Sequence, residues 1–103
     1  MPTNQELIAK AIKERLQIKA VYENYPREMC PHILGWKNGV MRVLSFQFGG
    51  STSKGLPPGG DWKCMEVGKL MHISLQAGTW HAGSTGGWHR KPQTCIDQII
   101  IQV

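Results

Sequence analysis

"HILGWKNGVMRVLSFQF", residues 32–48, sets two apolar runs around a Lys37-Asn38-Gly39 turn. Asn-Gly takes positive φ at little cost, so the chain can reverse here in a tight hairpin. Residues 40–48 read as one strand and residues 27–34 as the strand before it. Pro31 falls inside that earlier strand. A proline has no N–H for a ladder, so its position must be an edge or a bulge. Arg42 interrupts the later strand. By alternation it shares a face with Val40, Leu44 and Phe46. A guanidinium in that company needs a carboxylate, backbone carbonyls or an anionic ligand. The plainer reading is an arginine that snorkels to a rim.

Reading outward from the hairpin, the N-terminal side opens with Thr3 and Glu6 at capping-box spacing. Leu7, Ile8, Ala11, Ile12 and Leu16 then fall on one stripe, which predicts a helix over about residues 4–16. From Ile18 the period changes to two, giving a strand to about residue 23 and a turn at residues 24–26. On the other side, residues 62–67 and 70–75 read as strands with a kink at residues 68–69. Residues 76–95 are rich in Gly, Trp, His and Thr and lack a period, as expected of an irregular segment wrapping the domain. Residues 96–103 are strongly β-prone. Left as a free edge they invite aggregation, so they must pair within their own sheet or across a dimer. The sum is an α+β, mainly β chain, one domain over residues 1–103. An N-terminal helix precedes five short strands over about residues 18–75 that close into a small barrel, with a C-terminal strand added.

The chain has 103 residues and a formal charge of +5. Its seven acids avoid residues 29–60 and 67–96, which carry Lys37, Arg42, Lys54, Lys69, Arg90 and Lys91. Such a field favours anionic partners. No apolar stretch approaches the ~20 residues of a membrane span, and the first residues lack the apolar core of an export signal. Three widely spaced cysteines, Cys30, Cys64 and Cys95, then read as free thiols in a reducing cytoplasm.

The order of motifs resembles the WYL domain. The opening helix carries Ala11-Ile12-Lys13-Glu14-Arg15. Tyr22, Arg27, Pro31-His32, Met41-Arg42-Val43, Trp62-Lys63 and Lys69-Leu70 follow in the family's order, so the resemblance covers about residues 7–75. The naming tripeptide has lost its aromatics, and the usual Arg-Ile pair is Lys69-Leu70. No helix-turn-helix precedes the domain, although many family members are transcription regulators with one. The resemblance is therefore to a short stand-alone branch, in which a segment like Arg42, Gln47, Gly49-Gly50 and Ser51 replaces the aromatic strand. It implies a small Sm-like β-barrel. It also implies a role in binding or sensing a nucleotide or single-stranded nucleic acid, in bacterial or phage stress and defence settings.

The candidate ligand contacts are Arg27, His32, Arg42, Gln47, Ser51, Ser53, Lys63 and Lys69. Residues 49–55 could turn amides and hydroxyls onto a phosphate, although they are not a Walker loop. Gln47 points away from Arg42 on an undistorted strand, and a bulge near Gly49 would relax that conflict. Tyr22, Trp36 and Trp62 could stack on bases, though aromatics in so small a domain are more often core. The Cys and His spacings match no zinc pattern, so neither metal nor cofactor is expected. The expected function is non-enzymatic binding of an anionic ligand. A hydrolase or nuclease using His32, His72, His81 or His89 is one rival, and an interaction protein pairing through its C-terminal strand, as a homodimer, is the other.

Overall fold

The computed structural model describes residues 2–52, 55–56, 59–81 and 94–103. Helix α1, Asn4–Glu14, is followed by β1 (Gln17–Tyr22), β2 (Tyr25–Lys37), β3 (Val40–Gly50) and β4 (Asp61–Glu66). A 3-10 turn (Val67–Lys69), β5 (Met71–Gln76) and β6 (Gln98–Gln102) complete the order. The helix starts where its sequence says it should. The Thr3 side chain accepts from the Glu6 N–H, and the Glu6 carboxylate accepts from the Thr3 N–H. It ends two residues earlier than the apolar stripe, because Arg15 adopts the left-handed conformation.

The six described strands lie in one antiparallel sheet with the path β4-β3-β2-β1-β5, and β6 pairs with β2. β4 and β5 stand at opposite ends of this path, yet only the 3-10 turn and Leu70 separate them. Five strands side by side in a flat sheet span about 19 Å. A three-residue 3-10 turn rises only about 6 Å. The sheet must therefore curl until its ends approach. Asn4 fastens this joint by donating to the carbonyls of Val67 and Leu70 at 3.1 and 3.0 Å. The Tyr22 hydroxyl accepts the Glu66 N–H at 3.1 Å. Among the described residues no ladder joins β4 to β5. Of the expected small barrel with a C-terminal strand added, the described residues show a curled antiparallel sheet in which the C-terminal strand, β6, pairs with β2.

The hairpin at Asn38-Gly39 forms as read, with positive φ at both positions. β2 runs longer than its sequence suggests because it bulges at Pro31 instead of ending there. The register shifts between Pro31↔Ser45 and Ile33↔Leu44, leaving His32 as the extra residue. A second shift leaves Phe48 extra on β3, between Glu28↔Gly49 and Met29↔Gln47. On its other edge, β2 pairs with β1 up to Met29 and with β6 from Ile33 onward. Pro31 sits in the gap between these two neighbours, where a missing N–H costs least.

Ile8, Ala11 and Ile12 of the helix pack on Ile18, Met29, Leu34, Val43, Met65 and Leu70 across the inner face of the curl. A smaller cluster on the other face joins Ile33, Leu44, Cys95 and Ile96, with Trp62 against it. Cys64 and Cys95 are joined in a disulfide with a Cα–Cα distance of 5.8 Å, so the reading of three free thiols holds only for buried Cys30. The spacing of the cysteines concealed this because β6 returns to the sheet and carries Cys95 beside β4. Closing a loop of 31 residues constrains the unfolded chain by about 3–4 kcal/mol on the chain-entropy model. Of the expected wrapping segment, residues 77–81 and 94–95 cross the outer face, and residues 82–93 lie outside the described residues. No described helix is long and apolar enough to cross a membrane.

Candidate anion-binding pocket

Arg27, near the start of β2, is only 4 % exposed. Its guanidinium lies 5.1 Å from the Tyr22 ring centroid. One terminal nitrogen donates to the Tyr22 carbonyl at 3.2 Å and to the Glu23 carboxylate at 3.4 Å. The other reaches the Gln47 Oε1 at 3.5 Å. Among the described residues its buried Nε has no hydrogen-bond partner.

Gln47, fully buried, holds the loop behind Arg27 in shape. Its Nε2 donates to the carbonyls of Gly49 and Ser51 at 2.9 and 3.2 Å. Gly50 makes the turn possible: its φ is +82°, and a Cβ there would stand 2.7 Å from the Arg27 Cα. The Ser51 N–H then donates to the Pro26 carbonyl at 2.9 Å, and Thr52 is laid inward. Thr52 is buried, and its Oγ1 likewise has no partner among the described residues. Tyr22, Glu23, Arg27, Thr52, Lys63, Cys64 and Met65 line a pocket of about 210 Å³. The Lys63 ammonium lies 3.7 Å from the Asp61 carboxylate at its edge.

The structure therefore brings together Arg27, Gln47, Lys63 and Tyr22 of the sequence-predicted set. Tyr22 stacks under the guanidinium and is not a free platform for a base. Ser51 contributes its backbone and leaves its side chain exposed, while Ser53 lies outside the described residues. No family model, curated protein or solved structure matches the chain. The case for this pocket consequently rests on its own geometry.

The other candidates sit elsewhere. Arg42 emerges on the Leu44 face, as alternation predicts, and its Nη1 approaches the Cys64 sulfur at 3.9 Å. It does not line the pocket. A bulge lies at Phe48, next to Gly49, but it does not bring Gln47 to Arg42: Gln47 faces Arg27. His32 is 4 % exposed, and its Nε2 donates to the His81 carbonyl at 3.1 Å. Trp62 and Trp80 pack around its ring, each with centroids 4.8 Å away. Trp62 also meets Phe46 edge-on, so both residues serve the outer-face packing. Trp36 is 37 % exposed and lines a separate hollow with Asn38, Gly39, Asp97 and Gln98. Lys69 is taken up by Glu66 at 2.7 Å, a contact that holds the Glu66 carboxyl below its ordinary pKa and raises that of Lys69.

The histidine-enzyme rival needs an activated nucleophile. Cys30 meets His81 through the backbone N–H, which donates to its sulfur at 3.3 Å, and not through the ring. Burial pushes this thiol above its ordinary pKa, the reverse of what a nucleophile needs. Sequence reading did not single out Thr52, whose only signal was its place in the hydroxyl-rich loop; Glu23 forms the acidic rim as the ion-pair partner of Arg27.

Proposed function

We propose that this chain is a non-enzymatic binding module of WYL type. In this reading it takes the phosphate of a nucleotide or of single-stranded nucleic acid in the Arg27 pocket and serves a regulatory role in the cytoplasm. One observation carries the reading. The Arg27 Nε and the Thr52 Oγ1 are buried polar atoms, without partners among the described residues, in side chains that line one pocket. Such atoms are costly to leave unmet, and in this reading a small shift of the two side chains on binding turns them onto the oxygens of an entering phosphate. Small-molecule pockets usually enclose about 300–1,000 Å³. A pocket of about 210 Å³ suits a phosphate group, with sugar and base lying outside it. The Glu23 carboxylate, 62 % exposed, is free to swing aside as the anion enters. The curl of the sheet behind an opening helix is consistent with an Sm-like barrel.

The test is a titration of the full chain with pyrophosphate, ATP and a short oligothymidylate, read by thermal shift and calorimetry. We expect binding that weakens with salt. For the oligonucleotide, log K should fall against log salt with a slope of about −0.7 per phosphate contacted. A flat salt dependence, or no binding of any of the three, rejects the reading.

A second copy of the chain is the proposed protein partner. Among the described residues β6 pairs only with β2, and its run Gln98-Ile99-Ile100-Ile101-Gln102 carries no charge to blunt the outer edge. Ile99 and Ile100 are 51 and 44 % exposed. Light scattering at high micromolar concentration should give a dimer mass, and a monomer mass rejects this pairing.

A further inference from the structure

We propose that Cys64 is a site of thiol–disulfide exchange with a small anionic thiol, primed by Arg42. The two sulfurs of the bridge are unequal. Cys64 is exposed on β4, whereas Cys95 is 8 % exposed among Ile33, Leu44, Ile96 and Trp62. An incoming thiol therefore meets the Cys64 sulfur first. The Arg42 guanidinium stands beside that sulfur. Its Nη1 points at the Cys64 Sγ from 3.9 Å, and its buried Nε has no partner among the described residues.

A disulfide sulfur is a poor acceptor for a full cation. Glu66 is the residue opposite Arg42 in the β3–β4 register; its carboxylate is hydrogen-bonded by Lys69 at 2.7 Å and feels the Arg42 charge only at longer range. Arg42 is thus placed where negative charge develops on sulfur during exchange, and where a Cys64 thiolate would sit once formed.

The chemistry balances with two equivalents of a monothiol of the glutathione class. The first, as thiolate, attacks the Cys64 sulfur. A mixed disulfide forms, the bond to Cys95 breaks, and Cys95 leaves as a thiolate that takes a proton from water. The second thiolate attacks the outer sulfur of the mixed disulfide. The small disulfide departs, and Cys64 remains as a thiolate facing Arg42. Two small thiols are oxidised to one disulfide while the protein bridge gains two electrons.

Reversal is built in, because the Cys95 segment keeps other ties. Lys37 Nζ donates to the Thr94 carbonyl at 2.7 Å, and the Asp97 N–H to the Trp36 carbonyl at 2.8 Å. Beyond them β6 stays laddered to β2. The proposal holds whatever the Arg27 pocket binds.

To test it, the oxidised full chain is mixed with glutathione, 2-mercaptoethanol or cysteamine, which are anionic, neutral and cationic. The reaction is quenched by alkylation, and adducts are located by peptide mass spectrometry. We expect the mixed disulfide on Cys64. Per thiolate, glutathione should react several-fold faster than cysteamine at low salt, and this preference should collapse at high salt. Arg42→Gln should slow exchange by about tenfold, with Arg42→Lys restoring part of the rate. Circular dichroism confirms that each variant is folded. Adducts found chiefly on Cys95 overturn the proposal. So does an Arg42→Gln chain that exchanges as fast as the unaltered one, or a bridge that reacts only in denaturant.

Discussion

Gly35→Ala is expected to lift β6 from the sheet and lower the free energy of unfolding by roughly 2–4 kcal/mol. Gly35 lies in the middle of β2, opposite Arg42 on one side and Ile99 on the other. A Cβ at this position would stand inside the van der Waals envelope of the Gln98 carbonyl oxygen and 2.5 Å from the Ile96 Cγ2. The oxygen belongs to backbone and cannot swing away like a side-chain tip. Either β6 shifts, with loss of its ladder from Ile33 to Trp36, or Ile96 leaves the outer cluster. Chemical denaturation reads the stability, and limited proteolysis reads the release of β6. Gly68→Ala serves as the control, because a Cβ there meets nothing within 4 Å. If Gly35→Ala matches Gly68→Ala in both measurements, the close packing of β6 on β2 is wrong.

The second large effect is expected at Arg27. Arg27→Met keeps the apolar stem and removes the guanidinium from the pocket. Affinity for pyrophosphate should drop at least tenfold, about 1.4 kcal/mol, which is modest for a charge-assisted contact. Arg27→Lys should recover little, since an ammonium cannot present both Nε and terminal N–H groups in one plane. Arg42→Ala should cost less than Arg27→Met, because Arg42 does not line the pocket. Equal affinity in folded Arg27→Met and the unaltered chain would remove Arg27 from the site. A larger loss at Arg42 would move the site to the outer face.

These two experiments fall on different sides of what the sequence discloses. The Asn38-Gly39 turn, the capped helix and the alternation that sends Arg42 out with Leu44 are local matters. A few adjacent residues decide each of them. The pairing of Arg27 with Gln47 is not local. It depends on two bulges, one at His32 and one at Phe48, each shifting the register by one residue in opposite senses. Their effects cancel by Arg27↔Gly50, so the strand ends look regular while the middle is displaced. Thr52 lies just past Gly50, where strand alternation no longer predicts direction. The disulfide follows from the return of β6 to β2, which no spacing of cysteines encodes. The approach of β4 and β5 across the short 3-10 turn depends on the curl of the whole sheet, which no local pattern encodes.

β2 has one feature with a further consequence. Its far edge is shared by β1 and β6 in succession, with Pro31 at the seam between them. Amide exchange with deuterated solvent should therefore resolve the sheet into two cooperative units. One unit holds β1, β5 and the first residues of β2. The other holds β6, the last residues of β2 and the bridged Cys95 segment. Reduction of the bridge should speed exchange in the second unit and leave the first unchanged. The seam would then act as a thermal break, confining local opening to the half of the sheet that carries the disulfide.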